Sequence, residues 1–273
     1  MTGTTEISVL GCGWLGLPLG YELAKKGYLV RGSSTRLKRL PMIEEGGIHP
    51  YHILLDPHLI HGDESFFKCD IMVLNIPPKK DKYAVDFYNK QTEVVIKLIT
   101  KHNPEPVKIL FISSTSVYPS QNKVMTEDDA VNPEKITGKV LLESEKLLRD
   151  SGFETTIVRF GGLIGYNRNP AKSLSGLKEL KRGQAPVNLI HRDDCVNILI
   201  KIIEKSKWNF TFNACMPEHP TREEYYTHAA RYLKLPLPEF SSDDNTKDKI
   251  VDSSFLIDEL NYSFIYKTPL GVF

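Results

Sequence analysis

Residues 7–16 read ISVLGCGWLG, and this stretch decides the fold. Ile7 to Leu10 form a short apolar run with β-branched residues, as a buried strand requires. Gly11-Cys12-Gly13-Trp14-Leu15-Gly16 is then a GxGxxG sequence, placed directly before an amphipathic segment at 15–26 that Gly27 closes. Alone the pattern is weak; between a strand and a helix it has a physical meaning. Gly11 permits a tight turn, Gly13 lets a pyrophosphate approach the backbone, and Gly16 lets helix and strand pack closely. The unpaired N–H groups of the first helical turn face the phosphates, so Gly11, Gly13, Trp14, Leu15 and Gly16 are the expected cofactor contacts. Pro18 is compatible with a helix only near its first turn, which sets the start close to Gly13 or Trp14. Cys12 lies where a helix N-terminus could lower a thiol pKa; the plainer expectation is a small residue that fits the turn.

Outward from the turn, short β-branched runs alternate with longer amphipathic ones. Strands are predicted at 28–31, 51–55, 71–76, 107–113 and 155–160, and helices at 82–102 and 137–150. This alternation predicts an α/β fold: a doubly wound parallel sheet of Rossmann type, covered on both faces. Pro77-Pro78 ends the strand at 71–76, and Pro77 is a further expected cofactor contact. After Gly165 the rhythm breaks. Residues 166–190 are rich in Asn, Lys and Gly, as suits loops over a ligand cleft. Helical patterns return at 193–204 and 221–232, the second opening on the capping-box spacing Thr221-Arg222-Glu223-Glu224. The expected division is a dinucleotide-binding domain at 1–165 and a small C-terminal substrate lobe at 166–273, with some of its elements packed back on the sheet. Residues 241–245, SSDDN, read as a mobile surface loop.

A cofactor with a free ribose 2′-hydroxyl meets an Asp or Glu at the end of the second strand. Here that strand runs into Gly32-Ser33-Ser34-Thr35-Arg36, with Lys38 and Arg39 behind and nothing acidic. Small hydroxyls and a guanidinium fork suit a 2′-phosphate. The expected cofactor is therefore NADP(H) rather than NAD(H), read by Ser34, Thr35 and Arg36.

The bulk properties narrow the rest. Over 273 residues, 35 Lys and Arg face 34 Asp and Glu, for a net charge of +1, which gives no pull toward nucleic acid or an anionic membrane. No apolar run approaches the roughly 18 residues of a membrane span, and MTGTTEISVLGCG does not read as an export signal. Cys12, Cys69, Cys195 and Cys215 form no CxxC pair and read as reduced thiols of a cytoplasmic protein. His49, His52, His58 and His61, with Asp63 and Glu64, have metal-ligand chemistry. They flank a predicted strand and its exit turn, however, so no metal is expected.

Four further segments carry a family resemblance. Residues 111–118 read FISSTSVY, Thr126-Glu127-Asp128 is followed by Pro133, Arg159 to Gly165 read RFGGLIG, and 188–194 read NLIHRDD. In their order and spacing these segments resemble the "SSxxVYG", "TE…P", "RxxxxYG" and "fIhvdD" motifs of the extended short-chain dehydrogenase/reductases, the NAD-dependent epimerase/dehydratase-like proteins. The resemblance covers nearly the whole chain and implies a small-molecule substrate, with homodimerisation through the long helices near 82–102 and 137–150. It implies that Ser114 orients a carbonyl and that His191, with Asp193 and Asp194, lies near the substrate entrance; for His191 the plainer expectation is a capping and structural hydrogen-bonding role. The chain departs from the pattern in two ways. Its first motif is GxGxxG, not TGxxGxxG. The catalytic YxxxK, aligned through Glu143 and Glu145, falls on Thr137 and Leu141. A threonine hydroxyl is too weak an acid for proton transfer near neutral pH, and leucine carries no charge. Tyr118 is then the best candidate for a surrogate acid/base, with Ser114 beside it; the plainer expectation is that Tyr118 packs at the cleft wall. Lys139 points about 200° from position 141 on a helix, while Lys123, on a loop, is freer to reach in. Arg168 is a candidate for an anionic substrate group. Trp208 and Phe210 are expected to pack rather than bind. Two functions follow: an oxidoreductase or epimerase-like enzyme, or an NADP(H)-responsive sensor that kept the fold without the reaction.

Overall fold

A computed structural model describes residues 4–57, 59–78, 84–242 and 247–273. β1 (Glu6–Leu10) passes through the glycine turn into α1 (Gly16–Lys25), and β2 (Leu29–Ser34) returns parallel to β1 with Ile7 opposite Val30. A short α2 (Leu40–Glu45) leads to β3 (His49–His52) at the sheet edge. β4 (Leu54–Leu55) and β5 (Ile60–His61) form a hairpin outside the main sheet. The next units are β6 (Ile71–Leu74), α3 (Ala84–His102), β7 (Lys108–Ser114), β8 (Lys123–Met125), α4 (Ile136–Asp150) and β9 (Glu154–Phe160). Beyond them lie β10 (Gly162–Ile164), β11 (Leu189–His191), α5 (Arg192–Glu204), β12 (Thr211–Ala214), α6 (Arg222–Tyr232), β13 (Lys249–Val251) and α7 (Ser254–Leu260).

Seven parallel strands form the central sheet in the order β12-β9-β7-β6-β1-β2-β3. It is a doubly wound Rossmann-type α/β fold, and the period-two alternation of the strands divides its core. Ile71 and Val73 face one layer with α1, α5 and α7, whereas Met72 and Leu74 face the other with α3 and α4. The chain winds outward from β1 in one direction and from β6 in the other, so the crevice at the carboxyl ends of β1 and β6 is the topological switch point, where such sheets bind ligands. The glycine turn stands at its rim. After residue 165, β12 completes the sheet and α5 and α7 cover one face, while β10 pairs with β11 and β13 with β8 in small parallel sheets.

The predicted strand at 51–55 splits in two. β2 ends at Ser34, whose partner is His52, so the apolar run beyond has no ladder to join. Ile53 donates its N–H to the Ser34 carbonyl and the chain turns away into the β4–β5 hairpin. Residues 82 and 83 of the predicted helix, His58, and residues 243–245 of the predicted loop lie outside the described residues. Among the described residues no helix is long and apolar enough to cross a membrane, and no cluster of His, Cys, Asp and Glu could hold a metal ion.

Candidate cofactor and substrate cleft

The turn between β1 and α1 is fixed from three sides. Gly11 N–H donates to Ser33 Oγ at 2.9 Å, Cys12 N–H to the Ser33 carbonyl at 2.8 Å, and Asn75 Nδ2 to the Gly11 carbonyl at 2.9 Å. Its glycines have different duties. Gly11 has φ +104°, a conformation disfavoured for side-chain-bearing residues. A Cβ on Gly16 would lie 2.2 Å from the Gly11 carbonyl oxygen, so this glycine is needed for packing. A Cβ on Gly13 would meet nothing within 4 Å. That open space is what a pyrophosphate approaching the backbone needs. Among the described residues the N–H groups of Trp14 and Leu15 have no backbone acceptor, as expected at a helix start. Cys12 is buried, and burial pushes its thiol up to about 12, so it fills the turn and is not a nucleophile.

Ser33 couples this turn to the end of β2. Ser34 Oγ accepts the Arg36 N–H at 3.1 Å, forming a small hydroxyl turn, and Thr35 and Arg36 are exposed beyond it. Among the described residues the Arg36 guanidinium has no carboxylate partner. Pro77 is exposed at the far wall of the crevice, just past β6, where Tyr88 donates its hydroxyl proton to the Ile76 carbonyl at 2.6 Å. The expected cofactor residues thus surround one end of the crevice. Asn75, which ties β6 to the turn, was not singled out from sequence: it was read as part of the strand at 71–76, and a polar amide inside that apolar run was the available signal.

The region around the carboxyl end of β7 is built differently. Ser114 is half-buried at the strand end, and its Oγ accepts the Ser116 N–H at 3.1 Å. Tyr118 does not face the cleft. It is 1% exposed, donates its hydroxyl proton to Asn213 Oδ1 at 2.5 Å and accepts from Arg159 Nη1 at 2.8 Å. Burial pushes its pKa up to about 12 despite the Arg159 charge. The expectation of Tyr118 as acid/base does not fit this geometry: the hydroxyl is already spent on an internal network. Glu145 anchors that network, accepting from Ser113 Oγ at 2.6 Å and from Arg159 Nε and Nη2 at 3.1 and 2.6 Å. Leu141 is buried in the core. Gly138 lies against Ser116, where a Cβ would be 2.1 Å from the Ser116 carbonyl oxygen. Lys139 is exposed, and Lys123 is drawn to Asp129 at 2.6 Å rather than into the cleft.

His191 is likewise structural in its contacts. Its Nδ1 accepts the Asp193 N–H at 3.3 Å, capping α5. The ring is 4% exposed, between Tyr166 and Tyr266, and Gly165 covers its Nε2 side. Burial lowers its pKa, with Asp193 and Asp194 opposing, so the ring is held neutral, as an N-cap acceptor must be. Arg168 lies over the Trp14 ring at 5.3 Å, beside the glycine turn rather than near Ser114.

One group went unnoticed in the sequence. Lys249, half-buried on β13, donates to the Tyr118 main-chain carbonyl. Its pKa is pushed down to about 8, by burial first and then by the Lys135 charge, with Glu134 opposing and Arg182 adding. Only the pairing of β13 with β8, across 126 residues, brings it there.

No protein-family model matches the chain. It is 31% identical over 270 residues to protein YeeZ of Escherichia coli K12, covering 97% of both chains. Among solved structures, a functionally unknown conserved protein from Silicibacter pomeroyi superposes with a TM-score of 0.78 at 18% identity, covering 98% of this chain and 96% of that one. UDP-glucuronic acid 4-epimerase from Bacillus cereus, solved in complex with NAD, superposes with a TM-score of 0.80 at 18% identity, covering 98% and 94%.

Proposed function

The chain belongs to the family of Escherichia coli protein YeeZ, short-chain-dehydrogenase-like in its fold, and from that premise we propose that it is an NADP(H)-preferring oxidoreductase or epimerase-like protein of the cytoplasm, acting on a small carbonyl or sugar-derived substrate. The observation that carries the reading is the open space at Gly13 on a turn whose other two glycines are closely packed. A dinucleotide laid there would meet the Trp14 and Leu15 N–H groups with its pyrophosphate and Arg36 with a 2′-phosphate. The Bacillus cereus epimerase, similar in fold, carries NAD. When bound, the nicotinamide supplies hydride transfer. This chain's part is to hold a carbonyl at Ser114, whose hydroxyl can donate, and to admit a water for the proton that Thr137 and Leu141 cannot move.

The locked Tyr118 and the buried Leu141 favour a second reading, a non-catalytic NADP(H)-responsive sensor. The two are separated by Ser114→Ala. An enzyme should lose about 100-fold in turnover of its carbonyl substrate, whereas a sensor should keep its NADPH affinity and show no turnover before or after the change. The first measurement is a calorimetric titration with NADPH and then NADH. Absence of binding by either would overturn both readings.

A further inference from the structure

Two arginines from the second half of the chain converge on the tryptophan of the glycine turn. The guanidinium carbons of Arg168 and Arg192 lie 5.3 and 5.2 Å from the Trp14 ring centroid, and Arg192 also stacks on Tyr166 at 3.8 Å. Trp14 Nε1 donates to Asn167 Oδ1 at 3.1 Å, tying the indole to the loop that carries Arg168. Asp193, the carboxylate next to Arg192 in sequence, is turned elsewhere: it accepts from the Tyr166 hydroxyl at 2.9 Å and lies 3.4 Å from His191 Nδ1. Among the described residues neither guanidinium has a carboxylate partner, and Arg192 Nε is buried with no acceptor. Stacking on an aromatic ring orients guanidinium groups but does not neutralise them. Two like charges are therefore gathered, unpaired, where the positive end of α1 already stands.

We propose that Arg168 and Arg192, aligned by Trp14, form a clamp for the pyrophosphate of the dinucleotide at the glycine turn. The proposal rests on the dinucleotide-binding reading above. Position selects the pyrophosphate over the other anions available. The end of β2, where Arg36 awaits a 2′-phosphate, is on the β3 side of β1, whereas α5 leads into β12 at the other edge of the sheet. Ser114, on β7, is two strands from β1, about 10 Å away at the usual strand spacing. The clamp would also join the two halves of the chain, because Arg168 and Arg192 both lie beyond residue 165 and reach a turn at residue 14.

The test is calorimetric titration of NADPH and NADH into the full chain and into Arg168→Ala, Arg192→Ala, Arg192→Lys and Arg36→Ala, with apo melting curves for each. Each alanine variant at 168 or 192 should weaken both nucleotides by roughly tenfold, the loss of one charge-assisted contact, with the NADPH/NADH ratio unchanged. Arg192→Lys should recover only part of the loss, because the ammonium lacks the planar fork. Arg36→Ala should instead change the ratio. Affinities within about twofold of the parent for both nucleotides would overturn the clamp, as would a loss confined to NADPH. If the parent binds neither nucleotide, the dinucleotide reading and the clamp fall together; if the parent binds and the two alanine variants bind equally well, only the clamp falls.

Discussion

The β1 and β7 ends of the same sheet edge have been finished in opposite ways. At β1 the polar groups are left free: an open face at Gly13, N–H groups at Trp14 and Leu15 without backbone acceptors among the described residues, and an exposed Arg36. At β7 the corresponding groups are consumed internally. Tyr118 is held between Asn213 and Arg159, Arg159 is forked onto Glu145, and Leu141 fills the core. Unsatisfied donors at a rim are tolerable when a ligand or water completes them, whereas buried ones must be completed by the protein. The contrast is one of chemistry: the β1 end presents open space and free donors to an incoming ligand, whereas the β7 end has spent its polar groups on holding the fold together.

The largest expected effect tests the internal half. Glu145 is fully buried and Arg159 is 2% exposed. Glu145→Ala should destabilise the protein by roughly 3–5 kcal/mol, because it strands a buried guanidinium; a denaturant titration measures this. Tyr118→Phe should cost about 1–3 kcal/mol by the same measurement, from the partners it leaves unpaired. If Tyr118→Phe left stability intact but abolished a carbonyl turnover, the phenol would return to the catalytic list and the contrast would collapse.

A second test concerns Lys249, the cation nearest the Tyr118 carbonyl. With a pKa pushed down to about 8 against an ordinary 10.5, its amine is half neutral at pH 8. The neutral fraction is then roughly a hundredfold above that of a surface lysine. Competitive acylation at pH 8, read by mass spectrometry, should label Lys249 ahead of the exposed lysines, with half-burial reducing the excess. The sign of the linked stability follows. Between pH 8 and 10.5 the unfolded chain holds this proton and the folded chain has released it, so the group's contribution to stability rises with pH across that window and is lowest below pH 8. Labelling no faster than at Lys139, an exposed lysine, would mean that the amine is solvated and that the β7 end is open to water.

Sequence patterning made the cradle legible and the reaction region illegible, for a physical reason. Strand, glycine turn and helix are contiguous, and their requirements on φ and packing are local, so Gly11, Gly13 and Gly16 announce themselves in ten residues. The fates of Tyr118, Lys249 and His191 depend on partners far away: Asn213, at 95 residues' separation, for the first and the pairing of β13 with β8 for the second. His191 is the instructive intermediate. Its capping role follows from its place just before a helical pattern, but its enclosure by Tyr266 could not be foreseen from neighbouring residues. The break at Ile53 was also hidden, because an apolar β-branched run says nothing of where its partner strand stops.

The glycines of the turn offer the cleanest separation of fold from binding. Gly16→Ala should destabilise the fold, since its Cβ would press on the Gly11 carbonyl and neither backbone segment can yield alone. Gly13→Ala should leave the melting temperature nearly unchanged, as its Cβ meets nothing and no positive φ is involved, yet weaken NADPH by roughly tenfold through obstruction of the pyrophosphate approach. A Gly13→Ala protein that binds NADPH as well as its parent would show that the open face at the β1 end does not receive the pyrophosphate.

The smallest expected effect sharpens the cradle's chemistry. Arg36→Ala should reduce NADPH affinity by about 1 kcal/mol, the worth of an exposed and screened charge-assisted contact to phosphate, and leave NADH nearly untouched. The guanidinium is exposed and, among the described residues, has no carboxylate to release, so the affinity ratio reads the contact directly. Raising the salt concentration should shrink the difference between parent and variant, because an exposed ion pair is screened over a Debye length of about 8 Å at physiological ionic strength. A ratio that ignores both the substitution and the salt would assign the 2′-phosphate to other groups, with the hydroxyls of Ser34 and Thr35 the next to replace.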